Sequence, residues 1–305
     1  MQKVLDGFVR ESDVLLLNDC EVSGLQIDNN RVVAVQTSKG EFVSENVVVA
    51  TGGLSYPETG CSGDGYKWAR QTGHKLLSPE PALVSVQLAE GWTGELSDFN
   101  LKNVQIGVRQ NGKTVAERFG EAFFLQSGIG GPIVLDMSAA IRDALKKGPV
   151  SLRLDLKPAV AAEVFDKRLQ RELTAHNNKD FSKSLDSLLP KAMIPLFIRL
   201  SGIDPHKKCH SISKAERVRL LQLFKGLDLQ VTGVGGFKRA IITSGGVSLQ
   251  DIDMRSMRSK KVENLYFAGE VLDLDGPTGG FNLQVCWSTG YLAGVSAAES
   301  LSFKS

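Results

Sequence analysis

LYFAGEVLDLDGPTGGFNLQ, residues 265–284, decides the fold. With Asn264 before it, the run to Ala268 (264–268) reads as a buried strand leading into glycines. The run breaks at Gly269-Glu270, crosses a glycine-rich loop and enters a helical pattern near Asn282. α/β sheets bind ligands at the carboxyl ends of their strands, so this layout predicts a site with Glu270 at a strand tip. A carboxylate there can accept a hydrogen bond from a ribityl or ribose hydroxyl. Gly279 and Gly280 would let backbone approach a flat ring closely. Amides at the helix start, Phe281 to Leu283, would face the pyrimidine end of a flavin, where reduction places negative charge. The same residues also read as a glycine-rich αβ connection that holds no ligand.

Working outward, NVVVATGG at 46–53 reads as a second, fully buried strand ending in Ala50, Thr51 and Gly52. A glycine-rich loop from Tyr56 to Gly65 follows, then a helix over 64–73 that Gly73 stops. Short strands are expected before it, over 14–18, 20–27, 31–37 and 41–43, with Asn29-Asn30 as a tight turn. The chain opens with Val4, Leu5, Phe8 and Val9 at helical spacing. Strands are predicted over 84–88, 101–109, 114–118, 122–125 and 150–154, around one helix at 133–146. Helical patterns follow over 161–176, 185–201 and 214–224, with Ser213 as an N-cap. Strands return from Leu229. The last helix, over 282–300, is rich in small residues (Ser288, Gly290, Ala293, Gly294) suited to close packing on a sheet. The fold class is therefore α/β, discontinuous: segments 1–80 and 229–305 form one domain, 81–155 a β-barrel-like insertion and 156–228 a helical insertion.

At 305 residues the chain exceeds what one hydrophobic core usually supports. A net charge of +2, with basic clusters no longer than Arg258, Lys260 and Lys261, gives no reason to expect nucleic acid. No run is long and apolar enough for a membrane span or a signal peptide, so a cytoplasmic protein with no membrane partner is expected. Four dispersed cysteines without a C-x-x-C pair fit a reducing compartment. His206 and His210 flank Cys209, but no acidic or sulfur partner nearby in sequence completes a ligand set, so no metal site is expected. Ser62, in GCSGDG, lacks the residue order of a nucleophile elbow, which disfavours a hydrolase. Oligomeric state is not legible.

Four segments are distinctive: VVVATGGLSYPETGCSGDGYKWARQTGH (47–74), ERFGEAFFLQSGIGGPIVLDMS (117–138), VTGVGGFKRAIITSGGVSLQDI (231–252) and LYFAGEVLDLDGPTGGFNLQVCWSTGYLAG (265–294). In them the chain resembles the BaiN-like flavoproteins, the family that includes YhiN and the aminoacetone oxidases. The resemblance implies a partial, Rossmann-like FAD/NAD(P)-binding domain interrupted by a β-barrel-like and a helical domain. It implies an FAD-dependent oxidoreductase that moves a hydride between flavin and a small organic substrate, with NAD(P)H left open as a co-substrate. Carried over by position, Val22 offers backbone contacts toward the adenine, and Ala50, Thr51 and Gly52 pass near the cofactor. Gly269 and Glu270 correspond to the ribityl-binding strand end. Asp273, Gly279, Gly280, Phe281, Asn282 and Leu283 border the isoalloxazine ring, and Tyr56 with Thr59 closes over it. No catalytic acid or base is nominated.

Two departures from the family pattern matter. The family's G-x-G-x-x-G loop lies upstream of the position of Met1, and Gly128-Ile-Gly-Gly-Pro has no strand-to-helix context. The expectation is a missing pyrophosphate site and weakened FAD binding, which keeps open a non-catalytic fragment or binding module. Where many relatives carry a His or aromatic pair, this chain has Gln126 and Ser127.

Overall fold

A computed structural model describes residues 2–302. Helix α1 (Gln2–Glu11) forms where the spacing predicts, with Val4, Phe8 and Val9 exposed; Met1 and the Leu5 side chain lie outside the described residues. Residues 14–18 form no strand: Val14 to Leu17 find no pairing partner and all four are exposed. β1 (Val22–Asp28), β2 (Arg31–Thr37) and β3 (Gly40–Val43) make an antiparallel meander. Asn29 and Asn30 both sit at positive φ, 48° and 58°, the geometry a two-residue hairpin turn needs.

β4 (Val47–Val49) is shorter and wetter than a buried strand, because it lies at the edge of its sheet: Val49 is buried and Val48 is 41% exposed. α2 (Asp64–Gln71) ends before Gly73, whose φ of 77° stops it. β5 (Leu76–Ala82) leads to β6 (Val86–Leu88), β7 (Asn100–Gln110), β8 (Lys113–Leu125), β9 (Gly128–Gly130), α3 (Pro132–Leu145) and β10 (Val150–Asp155). β8 is one strand where two were expected, since Gly120 (φ 153°) bends it without ending it.

Helices α4 (Ala162–Ala175), α5 (Ile194–Ser201) and α6 (Lys214–Gly226) follow. α5 begins only past Pro190, with Pro195 in its first turn where proline is tolerated, later than the apolar spacing from Leu185 suggests. Ser213 caps α6 in a reciprocal box with Glu216. β11 (Leu227–Val234) then closes a six-stranded barrel in the order β10-β11-β6-β9-β8-β7. The strand that the sequence assigned, from residue 229, to the returning α/β segment thus belongs to the barrel, and the helices interrupt the barrel's own course. One apolar core accordingly runs from Ile106 and Leu152 in the barrel to Phe165, Phe197 and Phe224 in the helices.

β12 (Ile242–Val247) pairs antiparallel with β5. β13 (Ile252–Asp253), β14 (Arg258–Ser259) and β15 (Leu265–Phe267) extend the sheet to β4, and α7 (Phe281–Ser302) packs on it through Ala293. The small residues of α7 do not all face the sheet: Gly290 and Gly294 point outward with open space beside them. Among the described residues no helix is long and apolar enough to cross a membrane.

Under this sheet lies His74, 4% exposed, its ring nitrogens bonded to Thr72 Oγ1 (2.8 Å) and Ser259 Oγ (2.7 Å). Burial holds its pKa below the ordinary 6.5, against an opposing pull from Asp251. As pH falls through 6.5 the unfolded chain takes up a proton here and the folded chain does not, so stability drops with acidification. His74→Gln is expected to flatten the loss of urea stability between about pH 7 and 5. An unchanged slope in the variant would show that other groups set the acid limit.

Candidate functional site

β15 and β4 run parallel, Leu265 beside Val47 and Phe267 beside Val49, and the Ala268 amide donates to Val49 O at 3.0 Å. Their ends therefore leave the sheet side by side, placing Ala50-Thr51-Gly52 against Gly269-Glu270. Gly52 (φ 71°) and Gly269 (φ 78°) take the left-handed turn that side chains resist.

Glu270 does not stand free at this tip. Its Oε1 accepts the Thr243 amide at 2.9 Å, tying β12 to the strand end. Thr243 Oγ1 in turn accepts the amides of Leu54 (2.8 Å) and Ser55 (3.1 Å) and bonds the Ser55 hydroxyl at 2.9 Å. Gly53 passes so close that an added Cβ would stand 2.4 Å from Thr243 Oγ1. Burial raises the Glu270 carboxyl, the Thr243 amide pulls it back, and Asp275 pushes it up again. The thiol of half-buried Cys286 is raised by burial and by Glu270.

The loop from Asp273 to Gly280 is folded by its neighbours. The Asp273 amide donates to Val247 O at 2.9 Å, and burial with nearby Asp275 raises its carboxyl. Asn282 closes the loop on itself: Oδ1 accepts the Gly276 amide (2.8 Å) and Nδ2 donates to Gly276 O (2.9 Å). Asp136 of α3 accepts the Thr278 amide at 2.9 Å and so fastens the loop to the barrel side. Gly279 and Gly280 have φ of 108° and 91°, and beside Gly280 there is open space. The first i→i−4 bond of α7 is Gln284 N to Gly280 O, so the amides of Phe281, Asn282 and Leu283 have no intrahelical acceptor. Phe281 and Leu283 are 58% and 57% exposed beside them.

Other candidates sit differently. Thr51 Oγ1 is buried without a hydrogen-bond partner among the described residues, and it packs toward Gly65 of α2, where a Cβ would lie 2.2 Å away. Tyr56 is 49% exposed at a φ of 50°, rare for an aromatic; its amide donates to Phe237 O at 3.3 Å, and Thr59 Oγ1 donates to Tyr56 O. Val22 opens β1 opposite Thr37, in the separate meander. Sequence reasoning missed Gly53, Thr243 and Asp136. A lone carboxylate in the otherwise apolar IVLDM run of α3, and a hydroxyl before Gly245-Gly246, were the available signals. Among the described residues no group of three His, Cys, Asp or Glu side chains is arranged to hold a metal.

A profile described as HI0933-like protein Rossmann domain matches residues 2–296. Over 97% of this chain and 72% of the relative, the sequence is 28% identical to a 3-dehydro-bile acid delta(4,6)-reductase of Clostridium scindens. It is 31% identical to a ribosomal RNA dihydrouridine synthase of Escherichia coli, over 81% of this chain and 59% of that one. The Haemophilus influenzae protein of the same name is 29% identical over 92% of this chain and 67% of its own length. Aquifex aeolicus GidA superposes with a TM-score of 0.38 at 12% identity, covering 97% of this chain and 49% of GidA. Two relatives with RNA-modifying names mean that a net charge of +2 does not exclude a nucleic acid substrate.

Proposed function

This chain belongs to the HI0933-like Rossmann-domain family, and on that premise we propose that it is a flavin-dependent oxidoreductase that reduces a carbon–carbon double bond conjugated to a carbonyl. The observation that carries the reading is the pair of parallel strand ends feeding a positive-φ glycine loop into α7, with three helix-terminal amides unclaimed by the helix. These residues fit a flavin ring. The open space at Gly280 admits a flat face, and exposed Phe281 and Leu283 offer apolar contact. When bound, flavin supplies the hydride. The chain's part is to hold the ring and place the amides of Phe281 to Leu283 where negative charge develops at its pyrimidine end. Gly269 and the second oxygen of Glu270 are the groups at hand for the ribityl chain. The names of the curated relatives favour an alkene: a delta(4,6)-reductase and a dihydrouridine synthase both saturate a double bond conjugated to a carbonyl. NAD(P)H is the proposed electron donor, a small enone the first substrate to try, and an RNA uridine the second.

The test is the absorption spectrum of the protein, purified at the full length its gene encodes. A flavin band near ~450 nm that NADH or NADPH bleaches is expected. Gly280→Val, which forces a β-branched residue into φ of 91°, should weaken FAD binding at least about tenfold. Protein that stays colourless with saturating FAD supports the competing reading, a module without redox activity.

A further inference from the structure

Between the barrel and the segment that leads into β12 is a cavity of about 720 Å³. This is ample for a drug-sized molecule. Ser127 and Gln126 of the β8–β9 turn line one side, and Phe237, Lys238 and Arg239 line the other. Its lining includes two cations and no carboxylate. Lys238 and Arg239 have no hydrogen-bond or ion-pair partner for their side chains among the described residues. Elsewhere around the barrel and its helices some cations do have carboxylate partners, as Arg199 has Glu95 and Lys225 has Asp155. Two adjacent unpaired cations on a concave wall repel each other and gain when an anion arrives.

The cavity is mechanically joined to the candidate flavin site. Phe237, which lines it, accepts the Tyr56 amide through its carbonyl, and the chain runs from Arg239 into β12, where Thr243 holds Glu270. A molecule seated here lies next to the loop that follows β4.

We infer that this cavity is the substrate chamber and that Lys238 and Arg239 hold an anionic group, a carboxylate or a phosphate, on the substrate. That the anion belongs to a substrate rests on the flavoprotein reading. The cation pair fixes one end of the molecule while the amides of Gln126 and the hydroxyl of Ser127 offer neutral hydrogen bonds to the rest.

Calorimetric titration with two matched pairs tests the assignment: a 3-oxo-4-ene steroid acid against its methyl ester, and uridine 5′-monophosphate against uridine. In at least one pair the charged member should bind about tenfold tighter or more, as charge-assisted hydrogen bonds to two cations imply. The pair that shows the preference identifies the source of the anion. Lys238→Gln with Arg239→Gln should erase the preference and leave the neutral member's affinity unchanged. Both residues are exposed, and circular dichroism checks that the fold is intact. Equal binding within both pairs, or a preference that survives the double substitution, overturns the inference. Because calorimetry does not depend on flavin, yellow protein without charge preference defeats this inference alone. Colourless protein that keeps the preference defeats the flavin reading and leaves the anion subsite.

Discussion

Gly53→Ala is expected to lower stability by roughly 2–4 kcal/mol and to abolish flavin binding together, because one methyl group would strike the joint that holds three segments. The added Cβ would lie 2.4 Å from Thr243 Oγ1 and 2.6 Å from Glu270 Oε1, closer than real contacts allow. Neither neighbour can swing aside freely. Thr243 Oγ1 accepts from two backbone amides, Leu54 and Ser55, and Glu270 Oε1 accepts from a third. Displacing them leaves partly or wholly buried amides unpaired, at about 1–3 kcal/mol apiece. The strand tips then move relative to each other, and with them the backbone of Gly52 and Gly269. Urea unfolding and FAD titration of the same variant check both effects. A variant within about 0.5 kcal/mol of the parent would mean the joint is loose.

Phe224→Ala is expected to cost about 3–5 kcal/mol, the range for truncating a buried aromatic. Phe224 is fully buried, 4.9 Å from the rings of both Phe165 and Phe197, so its loss opens a cavity lined by two other aromatic rings. Its carbonyl also accepts the Leu156 amide, fastening α6 to the end of β10. The core it belongs to is distinct from the one beneath the strand tips, which is built on Tyr266, Phe267 and Val49. The loss should therefore appear in the unfolding transition of the barrel and helices, followed by circular dichroism, with FAD affinity per folded molecule unchanged. Stability near that of the parent would show that the helices pack on the barrel without depending on this residue.

What was legible in the sequence follows from what is local. The Asn-Asn hairpin, the Ser213 N-cap and the Gly73 stop depend on neighbours a few residues away, and each is where its residues predict. The break at Gly269 and the start of α7 were likewise readable. What was missed depends on distant partners. That β11 closes the barrel is fixed by its pairing with β10 and β6, which no local pattern records. The edge position of β4 makes a valine run half-exposed although its composition is that of a central strand. At the site, Glu270 carries the signature of a ligand-facing carboxylate, yet one oxygen is committed to Thr243, and the Asn282 side-chain carboxamide is consumed by its own loop. The glycines were visible as glycines. The side chains that make them necessary were not.

The most direct measurement is a crystal structure of the protein, at the full length its gene encodes, with FAD bound. The isoalloxazine ring should lie against Gly279 and Gly280, its pyrimidine edge at the amides of Phe281 to Leu283. A flavin bound elsewhere, or with that edge turned away from α7, would contradict the assignment.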